Sequence, residues 1–258
     1  MSQVEQRVAV VTGASSGIGA ELARLLAQRG WRCVLLARRE ERLRELAEET
    51  GAEYELCDVS DREAVAAVGA RVLERHPRVH LLVNNAGVAA RATFLEGDPE
   101  AIERVIRTNY LGSVWCLRAF LPGLEAAAPS DVVNIVSVAG VVALPASGPY
   151  AASKYAQLAF SRSIAAQLHS RRIRVHTVKP GFVETEGFPQ GWLPRPLRRI
   201  VIEPADVARH VLRSLDRGKG ETTVPWFYAP LGVLQALMPN LLARVLAGSG
   251  RGSTIRRR

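Results

Sequence analysis

The sequence predicts an α/β fold in which a parallel sheet is covered on both faces by helices. Strand-like and helix-like segments alternate along the chain, and the strand-like ones are almost continuously apolar, the pattern of strands buried on both sides. The 258 residues are 48% hydrophobic, enough for one sizeable core, and no repeat or linker divides them. Residues 1–258 are therefore read as a single domain.

In order, RVAVVTG (7–13) is β-branched and reads as a strand, and AELARLLAQRG (20–30) has helical spacing that stops at Gly30. RCVLLA (32–37) is a strand and ERLRELAEETG (41–51) a helix stopped by glycine. EYELCDV (53–59) and HLLVNNAG (80–87) are two further strands. A long helix is expected over 100–127, then the buried strand DVVNIVSV (131–138). A helix over 149–169 leads to the strand IRVHTVKPG (173–181). PADVARHVLRSL (204–215) is a helix and ETTV (221–224) a short last strand. Ligands of such sheets bind beyond the carboxyl ends of the strands. Thr12-Gly13, Asp58, Asn84, Ser137 and Pro180-Gly181 all fall at those ends.

Composition narrows the function classes. The N-terminus lacks a basic segment followed by a long apolar run, so no signal peptide is read there. Cys33, Cys57 and Cys116 are widely spaced, with no CxxC; they suit small core residues of a reducing compartment, with no disulfide framework and no metal site. The net charge is +9, but Arg38-Arg39, Arg171-Arg172 and Arg256–Arg258 are not interleaved with aromatics. No nucleic acid partner is expected.

The stretch TGASSGIG (12–19) joins the first strand to the first helix. Glycines 13, 17 and 19 let the backbone turn sharply and lie close to a ligand, and the helix N-terminus offers N–H groups to phosphate. The spacing is neither GxGxxG nor a P-loop, and a tight turn without a ligand is the alternative.

Tyr150 and Lys154 stand four residues apart, on one face of a helix whose first turn holds Pro149. Only three of 34 basic residues are lysines, and one of them is here. An ammonium about 5 Å from a phenol stabilises its anion by roughly 3 kcal/mol, so the phenol pKa is expected to fall by about two units. That suits acid–base chemistry at an alcohol or carbonyl. Ser137 closes a buried strand, placed to donate a hydrogen bond to a substrate carbonyl; a capping serine is the alternative.

TGASSGIG, NNAG (84–87), the YxxxK of YAASK and PGFVET (180–185) together resemble the short-chain dehydrogenase/reductase family, in its order and spacing, over roughly residues 5–225. The resemblance implies a Rossmann-type, doubly wound, seven-stranded parallel sheet, an NAD- or NADP-dependent oxidoreductase, and a homodimer or homotetramer. It further implies cofactor contacts from the turn residues Gly13, Ser15, Ser16, Gly17, Ile18 and Gly19, and from Tyr150 and Lys154. Asp58 and Val59 would meet the adenine, although Asp58 also suits a helix N-cap region. Asn84, Asn85, Ala86 and Gly87 would line the ribose, and Pro180, Gly181, Val183 and Thr185 the carboxamide. Asn109 would complete a tetrad with Ser137, Tyr150 and Lys154.

Cofactor choice rests on charge. In NAD users the second strand ends in a carboxylate that binds the ribose 2′-hydroxyl. Here that slot is Ala37, followed by Arg38 and Arg39, which favours NADP(H) over NAD(H). The alternative is that both arginines begin an exposed helix, beside Glu40 and Glu41.

Residues 186–203 are read as an apolar substrate lid carrying Phe188, Trp192, Arg195, Arg198 and Arg199, which points to a small-molecule substrate that is bulky and hydrophobic. Residues 225–258 form an apolar and basic C-terminal extension. From Thr222 to Ala243 there are 22 uncharged residues, but Pro225, Pro230 and Pro239 argue against a spanning helix. Lid packing, a subunit interface and peripheral membrane contact are left open, in an otherwise cytoplasmic protein. A non-catalytic NADPH sensor and an epimerase or dehydratase are the competing readings. The intact Ser, Tyr and Lys weigh against the first, and the lack of room for a larger substrate domain against the second.

Overall fold

In a computed structural model of the chain, the described residues are 6–89, 93–143, 147–186, 191 and 195–249. They form seven strands: β1 (Val8–Thr12), β2 (Arg32–Ala37), β3 (Glu53–Leu56), β4 (Leu81–Asn84), β5 (Ser130–Ile135), β6 (Ile173–Pro180) and β7 (Glu221–Val224). All neighbours pair in parallel, in the order β3-β2-β1-β4-β5-β6-β7. The order reverses between β1 and β4, which opens a crevice at the carboxyl ends of these two strands.

Period-two alternation explains why the strands are apolar throughout. Ala9 and Val11 of β1 pack with Leu35 of β2 against α1 (Gly17–Gln28), α2 (Glu40–Thr50) and α7 (Pro204–Asp216). Val8, Val10 and Leu36 face the other way, onto α3 (Arg62–Arg75), α5 (Gly112–Ala126) and α6 (Gly148–Leu168). Side chains such as Leu22, Leu26, Leu43, Phe120 and Leu124 are fully buried in these layers, each stabilising the fold by roughly 1.5–3 kcal/mol. The three cysteines are buried in the core, as expected.

The elements depart from the sequence reading in three places. Helix α3 was not anticipated, although Val65, Val68 and Val72 repeat at helical spacing and the Asp61 carboxylate caps it by accepting from Glu63 N and Ala64 N at 2.9 and 3.1 Å. The long helix expected over 100–127 is α4 (Pro99–Ile106) and α5 joined by a π-helical turn, Arg107–Leu111. One extra residue in a helical turn leaves no periodicity signal in sequence. Finally, the uncharged C-terminal stretch folds into two short helices, α8 (Ala229–Leu237) and α9 (Pro239–Ser249), with Pro239 opening the second. Among the described residues no helix is long and apolar enough to cross a membrane.

Candidate active site

At the crevice the NNAG segment is locked onto the glycine turn through Thr12. The Thr12 hydroxyl donates to Val83 O at 3.1 Å and accepts from Asn85 N and Ala86 N, each at 3.0 Å. The Asn85 amide returns hydrogen bonds to Thr12 O and Gly13 O at 3.0 and 3.2 Å. Asn84 reaches sideways to Asn134 Oδ1 at 2.9 Å, so it ties β4 to β5.

The turn itself needs its glycines. Gly13 and Gly17 have φ of +63° and +56°, and a Cβ on Gly19 would lie 2.5 Å from both Asn85 Nδ2 and Gly13 O. A Cβ on Gly17 would stand 3.2 Å from Thr185, so the PGFVET segment lies against the turn. The first turn of α1 holds no acidic residue, and the Ser16 side chain makes no capping bond. These are the features a diphosphate requires of a helix N-terminus, so the turn fits a dinucleotide.

Arg39 lies across this turn, donating to Ser16 Oγ at 2.7 Å, Ser15 Oγ at 3.2 Å and Glu186 Oε2 at 2.9 Å. Arg38 pairs with Asp58 Oδ2 at 3.3 Å. Both arginines do stand exposed at the start of α2, as the alternative had it, but their partners are these and not Glu40 and Glu41. The Asp58 carboxylate also accepts from Ser60 N and Ser60 Oγ at 2.9 and 2.7 Å, while Asp61 is the cap of α3. Ser60 and Arg38 offset the burial of Asp58 and hold its pKa below the ordinary value. Val59 is buried against Gly112, where a Cβ would come within 2.8 Å of its side chain.

Beyond β5, Ser137, Tyr150 and Lys154 converge. Ser137 hydrogen-bonds Tyr150. Its Oγ also accepts from Ala139 N at 3.0 Å, so the capping role weighed for it is real and coexists with the contact to the phenol. Pro149 stands in the first turn of α6. Lys154 Nζ lies 5.9 Å from the Tyr150 ring centre and donates to Ile135 O at 3.0 Å and Gln157 Oε1 at 2.8 Å. Of the three lysines, Lys154 is buried, whereas Lys179 pairs with Glu221 at 2.6 Å.

One electrostatic expectation is corrected. The ammonium was expected to lower the Tyr150 pKa, but burial dominates and pushes it up to about 12, against a smaller lowering from Ser137. Tyr150 is half-buried, and desolvation of its phenol is the cause of the rise. The same desolvation brings Lys154 down to about 7. A lysine whose pKa lies near 7 is only partly charged at neutral pH, so it lends its neighbour less field than a permanent ammonium would.

Asn109 sits in the π-helical turn and is fully buried. Its Oδ1 accepts from Val88 N at 2.8 Å, and its Nδ2 donates to Val88 O and Ser153 Oγ, each at 3.0 Å. It pins the loop after NNAG onto α6, and a Cβ on Gly87 would meet Asn109 Oδ1 at 3.3 Å and Lys154 Nζ at 3.8 Å. Sequence reading missed Gln157, Ser113 and Ser153. Gln157 Nε2 donates to Ser113 Oγ at 2.9 Å, and Ser113 Oγ donates to Asn109 O at 3.2 Å. The available signal was spacing, since Gln157 is three residues after Lys154 and Ser113 four after Asn109.

Pro180 ends β6, Gly181 N donates to Val224 O at 2.8 Å, and Val183 bridges to Ile202. Of the lid residues, Phe188 and Trp192 and the side chain of Arg195 lie outside the described residues, while Arg198 and Arg199 fall in a 3-10 turn, Arg195–Ile200.

A parallel sheet of this order, with a glycine turn at its reversal and a Ser–Tyr–Lys group past β5, defines a nucleotide-dependent oxidoreductase. The chain belongs to the short chain dehydrogenase family, whose pattern it matches over residues 7–191, and is accordingly an NAD(P)-dependent dehydrogenase/reductase. It is 32% identical to dehydrogenase/reductase SDR family member 7B of Danio rerio over 97% of this chain and 88% of that protein. A short chain dehydrogenase from Burkholderia cenocepacia in complex with NADP superposes with a TM-score of 0.82 at 29% identity, covering 95% of this chain and 98% of the other. One from Burkholderia phymatum in complex with NAD gives 0.80 at 27% identity, covering 93% and 96%.

Proposed function

We propose that the chain is an NADP(H)-dependent oxidoreductase that interconverts a hydrophobic alcohol and its ketone or aldehyde, with Tyr150 as the general acid and base. The observation that carries this reading is the meeting of Ser137, Tyr150 and Lys154 at the sheet crevice, next to Gly87 and across from the glycine turn. When bound, the nicotinamide supplies or accepts the hydride. In the reducing direction, as the hydride electron pair reaches the carbonyl carbon, the developing charge on oxygen is met by the hydroxyls of Ser137 and Tyr150. Tyr150, protonated at neutral pH, gives its proton to that oxygen and the product is the alcohol. The tyrosinate left behind favours the charged form of Lys154, whose pKa of about 7 lets it gain or lose a proton near neutrality. Oxidation runs these steps in reverse.

The main chain of the glycine turn would hold the diphosphate, with Arg39 and Arg38 flanking the end of β2 where a 2′-phosphate would lie. Asn109 acts as a positioning residue for the loop after NNAG. The same reading takes in a cytoplasmic homodimer or homotetramer and a small hydrophobic substrate. The test is NADPH oxidation against a panel of long-chain ketones and aldehydes, with Tyr150→Phe beside the native chain. Turnover should fall by about 100-fold or more while cofactor affinity is kept. Undiminished turnover in Tyr150→Phe would assign the proton transfer to another group.

A further inference from the structure

The exposed apolar surface is concentrated in one place. Of the thirteen large hydrophobic side chains exposed among the described residues, nine fall between Trp226 and Val245. No residue of α8 is buried, and between 226 and 245 only Tyr228 and Leu242 are. Trp226 and Leu237 are 78% and 77% exposed, and they share one apolar hollow with Val233 and Met238. Yet the segment is anchored. The Tyr228 ring fills the space over Gly181, Gly232 abuts Val141, and Gln235 Oε1 accepts from Ala143 N at 3.5 Å. A fixed apolar face of this kind marks a contact surface.

Charge selects the partner. Residues 222–258 contain no aspartate or glutamate but five arginines, at 244, 251, 256, 257 and 258. A second copy docked through the same segment would bring more arginines and no carboxylate of its own segment to pair with them. An anionic bilayer suits both features, because its acyl region takes the apolar side chains, its interface takes Trp226, and its headgroups attract guanidinium groups. Helices of nine and eleven residues are too short to span a bilayer, which takes about 20, so they would lie in its plane.

We propose that α8 and α9, with Arg244, dock this chain on the surface of an anionic membrane. The docked face adjoins the turn after Ser137, through the contact of Gly232 with Val141. The test is flotation of the full chain with vesicles of phosphatidylcholine alone and of phosphatidylcholine mixed with phosphatidylserine. Binding is expected to the mixed vesicles only and to weaken as salt is raised. The double variant Trp226→Glu, Leu237→Glu should lose about tenfold or more of it, with thermal midpoint and far-ultraviolet circular dichroism unchanged. Absence of flotation, equal flotation of the variant, or equal binding to both vesicle types would each overturn the proposal. So would a native dimer that the double variant splits, in a chain that binds no vesicle; the face would then belong to a second copy.

Discussion

Lys154 gives a hydrogen bond to Gln157 Oε1 at 2.8 Å, one turn further along α6, and Gln157 in turn holds Ser113 on α5 at 2.9 Å. A fully buried neutral amide thus orients the ammonium. Gln157→Leu removes an acceptor from the charged form and should lower the Lys154 pKa further, whereas Gln157→Glu should raise it. The limb of the kcat/KM profile that follows Lys154 should move to lower pH in the first variant and to higher pH in the second. A limb that stays put in both, with activity lost in Lys154→Met, would leave Gln157 with a packing role only.

Burial of Lys154 also shapes stability. Its pKa is lowered from 10.5 to about 7, so between these values the unfolded chain binds the extra proton and the folded chain does not. Stability from this group is therefore present above the unfolded value and is lost as pH falls toward 7. Relative to Lys154→Met, the native chain should gain a few kcal/mol, on the order of magnitude, on going from the lower to the upper end of that window. Urea unfolding of both chains across the window measures it; parallel curves would mean that the ammonium is not desolvated in solution.

Arg39 is held by Ser15, Ser16 and Glu186 at the mouth of the glycine turn. A charge-assisted bond to phosphate is worth about 1.5–3 kcal/mol, so Arg39→Ala should weaken NADPH binding by roughly 10- to 100-fold. NADH, which lacks the 2′-phosphate, should bind almost as before. Titration of both dinucleotides decides it, and equal losses would place Arg39 on the diphosphate turn alone.

Gly19 has no room for a methyl group, since its Cβ would lie 2.5 Å from Asn85 Nδ2 and from Gly13 O. Gly19→Ala should destabilise the chain by about 1–3 kcal/mol and loosen the junction of turn and NNAG. Chemical denaturation measures the first effect. An unchanged midpoint would mean that the turn relaxes freely.

Much of the site could be read in the chain because it is local. TGASSGIG is a strand-to-helix turn whose glycines are needed by the backbone itself, and Tyr150 and Lys154 share a helix face by spacing alone. The seven strands were legible because burial on both sides removes polar residues from them. Less legible were the partners that lie far apart in sequence. Ser113 to Gln157 and Asn109 to Ser153 each span 44 residues, and nothing in the intervening sequence announces them. Helix α3 was readable in hindsight from its valines, whereas the π-helical turn at Asn109 has no periodic signature.

The sequence by itself determined the order of the strands, the residues at the strand ends and the placing of Tyr150 and Lys154 on one helix face, since each follows from short-range periodicity and backbone geometry. Tertiary structure decided how those groups are charged. Desolvation depends on every layer packed around a side chain, so only the assembled sheet and helices reveal that burial outweighs the ammonium field at Tyr150. It also decided that the uncharged tail becomes two short helices left outside the core, because the two faces of the sheet are already covered by α1, α2, α3, α5, α6 and α7.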